Sequence, residues 1–251
     1  MDDRIAAVAE SLRDADAAAA LTGAGVSTAS GVPSFRGEDG IWNRYDQGDF
    51  DIYAFERDPG AYWERRLELH EDLFPDGVEP NAAHEALSAL ESSGHLDAVV
   101  TQNVDGLHDE AGAEELVTLH GRADRVECRA CGGRFDAAEP QQRAHEGELP
   151  PRCPDCDGVL KPGTVLFGER LPRAALSRAQ TYARDSDVFL VAGTSLTVEP
   201  AASLPVTAST HGAAVVLVNA EATPKDSIAD FVFHADVTEV LPRLQRTVVE
   251  G

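Results

Sequence analysis

The stretch Ala17-Ala18-Ala19-Ala20-Leu21-Thr22-Gly23-Ala24-Gly25 decides the fold. A short, uninterrupted apolar run ends directly in a small, glycine-containing loop. The same join recurs three times. Residues 96–100 run into Thr101-Gln102-Asn103-Val104-Asp105, residues 188–192 into Gly193-Thr194-Ser195, and residues 213–218 into Asn219-Ala220-Glu221. Near-continuous apolar runs of this length suit parallel strands buried on both faces. Helical patterns lie between them, over residues 5–15, 81–92, 172–184 and 237–248. This alternation predicts an α/β fold, a Rossmann-like doubly wound parallel sheet. Ligands of such sheets bind outside the carboxyl ends of the strands. The four loops therefore converge on one site.

Two segments break the alternation. Residues 37–80 are rich in aromatic and charged residues, including Trp42, Tyr45, Phe50, Tyr53, Phe55, Tyr62 and Trp63. They predict a small helical module that covers the site. Residues 122–162 hold all four cysteines, as Cys128-x-x-Cys131 and Cys153-x-x-Cys156. Two complete pairs at this spacing suit a tetrahedral, closed zinc site, structural rather than catalytic because four thiolates leave no place for water. The expected division is a sheet domain over 1–36, 81–121 and 163–251, a helical module over 37–80 and a zinc module over 122–162.

The 251 residues carry 44 acids against 21 bases, a net charge of −23, and only two lysines, Lys161 and Lys225. The acids are spread along the chain, as on an acidic surface rather than a disordered tail. A self-repelling surface of this kind tolerates high salt, where screening is strong, and a halophilic source is expected. The same charge disfavours nucleic acid, whose binding rests on phosphate neutralisation. No apolar run has transmembrane length, and Met1-Asp2-Asp3-Arg4 lacks a signal-peptide pattern, so no membrane role and a cytoplasmic location are expected. The oligomeric state is left open, with a monomer favoured.

Gly23-Ala24-Gly25 after a strand suits a phosphate-cradling turn, because glycines let backbone N–H groups approach a pyrophosphate. The third glycine of the usual dinucleotide fingerprint is replaced by Thr28, and no acidic residue is clearly placed about 20 residues on. Hydride transfer is disfavoured; a dinucleotide is not. The longer string Gly23-Ala-Gly-Val-Ser27-Thr28-Ala-Ser-Gly-Val-Pro-Ser-Phe35-Arg36-Gly37 closely resembles the cofactor loop of the sirtuins, the NAD-dependent protein deacylases. Thr101-Gln102-Asn103-Val104-Asp105-Gly106-Leu107-His108 resembles their nicotinamide and ribose motif. His120-Gly121 stands where they carry the catalytic histidine. Residues 161–169, Lys-Pro-Gly-Thr-Val-Leu-Phe-Gly-Glu, resemble their substrate strand. Gly193-Thr194-Ser195-Leu196 and Val218-Asn219-Ala220-Glu221 resemble their late cofactor loops. The segments occur in family order over nearly the whole chain.

The resemblance implies removal of acyl groups from protein lysines, acetyl by default, with release of nicotinamide and O-acyl-ADP-ribose. NAD is the implied co-substrate and one zinc the implied metal. The acyl oxygen attacks the ribose carbon as nicotinamide departs, and a base then takes a proton from a ribose hydroxyl. A neutral imidazole suits that task near pH 7, and the role falls to His120, with Asn103 and Asp105 as further catalytic residues. Asp105 is expected to hold the nicotinamide carboxamide beside Val104, while Asn103 and Gln102 contact ribose or water. Gly23, Ala24, Gly25, Ser27, Thr28 and Arg36 are assigned to the phosphates, and Phe35 to a shield over the reactive ribose. Gly193, Thr194 and Ser195 face ribose or phosphates, and Asn219, Ala220, Glu221 and Val237 the adenosine.

The resemblance also implies a peptide bound as an extended strand between residues 165–169 and 196–199, with Val165, Phe167, Gly168 and Glu169 as substrate contacts. Tyr62-x-x-Arg65 resembles the pair with which one sirtuin class holds acidic acyl groups such as succinyl; one helical turn apart, both face the same way. The segment before Tyr62 is shorter than in that class, and a plain packing face is the other reading. Three alternatives are kept: an ADP-ribosyl transferase on the same fold, a non-catalytic NAD sensor, and a zinc-ribbon nucleic-acid binder. Retention of His120, Asn103 and Asp105 argues against the sensor, and the acidic charge against the ribbon.

Overall fold

The structure is a computed structural model, and it describes residues 1–37 and 40–250. In chain order its elements are α1 (Asp2–Asp14), β1 (Ala18–Thr22), α2 (Ile52–Arg57), α3 (Pro59–Leu73), α4 (Ala82–Ser92), β2 (Ala98–Thr101), α5 (Leu107–Glu110) and β3 (Leu116–Thr118). There follow β4 (Gly121–Cys128), β5 (Arg134–Asp136), α6 (Ala138–His145), β6 (Leu160–Thr164), α7 (Arg173–Asp185), β7 (Val188–Ala192), α8 (Leu204–Thr210), β8 (Ala214–Val218), β9 (Phe231–Phe233) and α9 (Val237–Glu250).

Six strands form a parallel sheet in the order β3-β2-β1-β7-β8-β9. The apolar runs are its four inner strands, and their residues are divided between the two faces. Ala18 and Ala20 join a core with α1, α4 and α9; Ala19 and Leu21 join a core with α7 and α8. This is the period-two alternation of a strand with a helix layer on each side. The edge strands β3 and β9 have three residues each. The chain leaves β1 to build β2 on one side and β7 on the other, so the order reverses at β1 and opens a crevice there.

The second sheet is antiparallel, β5-β4-β6, and carries the cysteines at its tip. The two insertions share one hydrophobic core. Phe50, Phe55, Trp63 and Leu67 of the helical segment are buried with Val126, Cys128 and Leu160 of the other, and with Leu166 just after it. The Trp63 indole N–H closes this junction with a 2.8 Å hydrogen bond to the Leu160 carbonyl. Covering the sheet's open end thus falls to one joint body.

Candidate functional site

The loops at the ends of β1 and β7 touch backbone to backbone. The Gly25 N–H donates to the Gly193 carbonyl at 2.8 Å. A Cβ on Gly25 would lie 2.9 Å from the Gly193 Cα, and one on Gly193, whose φ is +60°, would lie 2.4 Å from the Val26 nitrogen. Only glycine fits either position. Ala24, Thr194 and Ser195 keep backbone N–H groups with no protein partner among the described residues. Such free amides on converging loops suit a pyrophosphate.

Above these loops lies a cavity of about 440 Å³. Its glycine-loop side is lined by Gly23, Ala24, Gly25 and Thr28, with Gly193, Thr194 and Ser195 opposite. Phe35, Arg36, Gln102, Asn103, Val104 and His120 line its middle. Asn219, Ala220, Glu221 and Val237 extend it past β8, and Val165 and Phe167 supply the wall from the zinc-bearing sheet. Phe35 stacks on Trp42 with ring centroids 5.9 Å apart, and Trp42 meets Phe167 edge-on at 5.3 Å. These rings carry the wall from the glycine loop to the far side.

The polar groups at the end of β2 are tied together. Asn103 Nδ2 donates to the Gly23 carbonyl at 3.1 Å and to Ser27 Oγ at 3.0 Å. Gln102 Nε2 donates to Thr194 Oγ1 at 2.9 Å. The Gln102 carbonyl lies 2.9 Å from His120 Nδ1. A carbonyl only accepts, so Nδ1 carries the proton and Nε2 keeps its lone pair. Burial, and secondarily the Arg36 charge, hold the His120 pKa below its ordinary value, while the bond to Gln102 opposes them. The ring is neutral at pH 7.

Five assigned residues do not line this cavity. Ser27 is fully buried, and its hydroxyl donates to Asp105 Oδ2 at 2.8 Å; the other Asp105 oxygen accepts from the Leu107 N–H at 3.0 Å. One carboxylate oxygen is thus held by Ser27 and the other by the Leu107 N–H, and Asp105 lines a small neighbouring crevice that shares Asn103 and Val104 with the cavity. Gly168 sits against Ile52 and Tyr53. Glu169 is held in an ion pair with Lys161. Arg65 is turned toward Asp49, 3.8 Å away. Its neighbour Arg66 lines the cavity instead, in the stripe Tyr62, Arg66, Leu69 and Leu73 along one face of α3. Arg66 is 6% exposed, has no acidic partner among the described residues and leaves Nη1 without a hydrogen bond there. The stripe has the i, i+4, i+7, i+11 spacing of one helix face, whereas Tyr62 and Arg65 stand at i, i+3.

The four cysteine sulfurs lie within 4.8 Å of one another, and none forms a disulfide. Cys128 and Cys156 are 3.5 Å apart, Cys131 and Cys153 3.8 Å. Four thiolates about 2.3 Å from one zinc would be spaced about 3.8 Å apart. The two turns are copies: Cys128 N–H donates to the Gly133 carbonyl and Cys153 N–H to the Gly158 carbonyl, each at 2.8 Å. A Cβ on Gly158 would come within 2.8 Å of the Cys128 sulfur. The donor set fits a closed structural zinc.

Fold and site together define a dinucleotide-binding α/β protein with a structural zinc module. The chain belongs to the Sir2 family, whose model matches residues 23–200. It is 56% identical over 240 residues to an NAD-dependent protein deacetylase of Haloarcula marismortui, across 95% of this chain and 92% of that one. A Sir2 structure with a p53 peptide and NAD+ superposes with a TM-score of 0.87 at 34% identity, covering 98% of both chains. Another, with a myristoylated histone peptide, gives 0.80 at 38% identity over 100% of this chain and 98% of the other. Among the described residues no helix is long and apolar enough to cross a membrane.

Proposed function

We propose that the protein removes acyl groups from lysine side chains of proteins, with NAD as co-substrate. One observation carries this reading: His120, its Nδ1 tied to Gln102, shares a single cavity with the glycine loops and with the Val165–Phe167 wall. Bound NAD supplies an electrophilic ribose carbon when its nicotinamide leaves. The residues of the chain do the rest. Free amides of residues 24, 194 and 195 hold phosphate oxygens. Gln102 fixes the imidazole so that Nε2 takes a ribose hydroxyl proton. Phe35 and Trp42 exclude water from the reacting carbon. Asp105 is oriented by Ser27 and by the Leu107 N–H, which fixes the 103–107 turn beside the cavity. Val165 and Phe167 present the edge beside which an extended peptide lies.

The buried, unpaired Arg66 favours a second feature. A charged group without a partner is costly in an apolar wall. A terminal acyl carboxylate reaching Arg66 and the Tyr62 hydroxyl would remove that cost. The cavity therefore takes acidic acyl groups in addition to acetyl, through Arg66 and not Arg65. The test is purified protein with NAD and matched acetyl- and succinyl-lysine peptides. Nicotinamide release and peptide deacylation should appear together, and only with acylated peptide. Nicotinamide release with ADP-ribose transferred to a non-acylated acceptor would favour the transferase alternative.

A further inference from the structure

We infer that Lys161 and Glu169 form a buried clamp that positions the peptide-binding wall, an inference that rests on the deacylase reading above. The chain has two lysines in 251 residues, and one of them is buried, 8% exposed, behind the cavity wall. An ammonium has three protons in tetrahedral directions and no acceptor. Lys161 uses all three: Nζ donates to the Pro162 carbonyl at 3.0 Å, the Thr164 carbonyl at 2.8 Å and Glu169 Oε2 at 3.0 Å. The planar guanidinium fork of arginine does not match three such directions. In a chain that uses arginine for all but two of its Lys and Arg positions, this geometry accounts for a lysine here.

Glu169 Oε2 also accepts the Leu166 N–H at 2.8 Å, and the Leu166 carbonyl accepts the Glu169 N–H at 3.0 Å. Between these two anchors, the Val165 N–H donates to the His120 carbonyl at 2.8 Å. Backbone groups of residues 164, 165 and 166 are thus consumed by the clamp and by His120 itself. Residues 164–167 line the cavity. The clamp sets where that segment stands relative to the imidazole. Neither Lys161 nor Glu169 lines the cavity, so both are positioning residues.

The test compares the parent protein with Lys161→Met, Lys161→Arg and Glu169→Gln. Binding of a fluorescein-labelled acetyl-lysine peptide is read by polarisation, ADP-ribose binding by calorimetry, and KM and kcat by nicotinamide release. Lys161→Met should weaken peptide binding and raise peptide KM by tens-fold, with ADP-ribose affinity within twofold of the parent. Lys161→Arg should fail to restore it. Glu169→Gln should weaken peptide binding several-fold. Parent-like peptide affinity in Lys161→Met, or an equal loss of ADP-ribose binding, overturns the clamp. If Lys161→Met does not fold, Glu169→Gln decides, and unchanged peptide affinity there overturns it. Polarisation needs no turnover, so a parent that binds peptide without releasing nicotinamide would sink the deacylase reading and leave the clamp to be judged separately.

Discussion

His84 and His108 meet edge to face, with ring centroids 4.8 Å apart, and both are neutral Nε2–H tautomers. The Ser27 hydroxyl spends its one proton on Asp105, so His84 Nε2, 3.3 Å away, is the donor to Ser27 Oγ. His84 Nδ1 accepts from the Asn81 N–H at 3.3 Å, which caps α4. Thr22 donates to Thr101, so His108 Nε2 donates to Thr22 at 2.9 Å, and its Nδ1 is buried without a partner.

A second proton on either ring has no acceptor. Burial lowers the pKa of His84 from 6.5 to about 4 and that of His108 to about 3; the nearby Asp105 charge opposes the first shift, and His84 adds to the second. His70, half-buried near Arg66, is likewise lowered to about 4 by its partial desolvation and that charge. The unfolded chain binds these protons first, so stability is complete above pH 6.5 and falls as pH drops toward 4. The slope is about 1.4 kcal/mol per pH unit for each histidine. Urea unfolding between pH 7.5 and 5 should show this loss, and His108→Gln should flatten part of it. A flat profile in the parent protein would reject the buried neutral pair.

His120→Ala should lower deacylation by about 10² to 10⁴ while leaving urea stability near the parent value. The neutral ring is the active form, and its pKa lies below 6.5. The acid limb of kcat/KM should therefore fall below pH 6.5, with activity lost as pH decreases. A limb centred at pH 7 or above would remove His120 as the base.

Metal analysis should find one zinc per chain. Chelation should unfold the β5-β4-β6 sheet and, through β6 and residues 164–167, abolish peptide binding. Protein stripped of metal that still bound peptide normally would show that the four cysteines do not support the cleft.

Arg66→Met should depress desuccinylation by tens-fold or more and spare deacetylation, because the acyl carboxylate would be buried without its partner. The same change should hold or raise the melting temperature, since it removes an unpaired buried charge. Arg65→Met should alter neither activity. Parallel loss of both activities in Arg66→Met would make Arg66 a packing residue.

The inner strands were legible because burial on both faces leaves an unbroken apolar run. The edge strands β3 and β9 were not, since three partly exposed residues carry no period. The glycine loops were legible through composition, as close backbone approach permits no Cβ. The Asp105 turn is partly legible: its bond to the Leu107 N–H is a local Asx turn, whereas the Ser27 hydroxyl reaches the other oxygen only through the fold. The i, i+4, i+7, i+11 stripe that holds Arg66 is visible in the sequence, while which face of α3 meets the cavity is set by packing. Asn81 and His84 stand at capping-box spacing, but His replaces the usual Glu or Gln, so their reciprocal cap shows only in the structure.

Activated acyl donors modify whatever free amines they reach. In this chain the Lys161 amine is buried with every proton engaged, which leaves Lys225 as the one lysine open to such chemistry. A surface whose cations are almost all arginine gives stray acylation almost nothing to hold. The protein is thereby nearly removed from the pool of targets on which it works, and its activity is insulated from the acyl load around it.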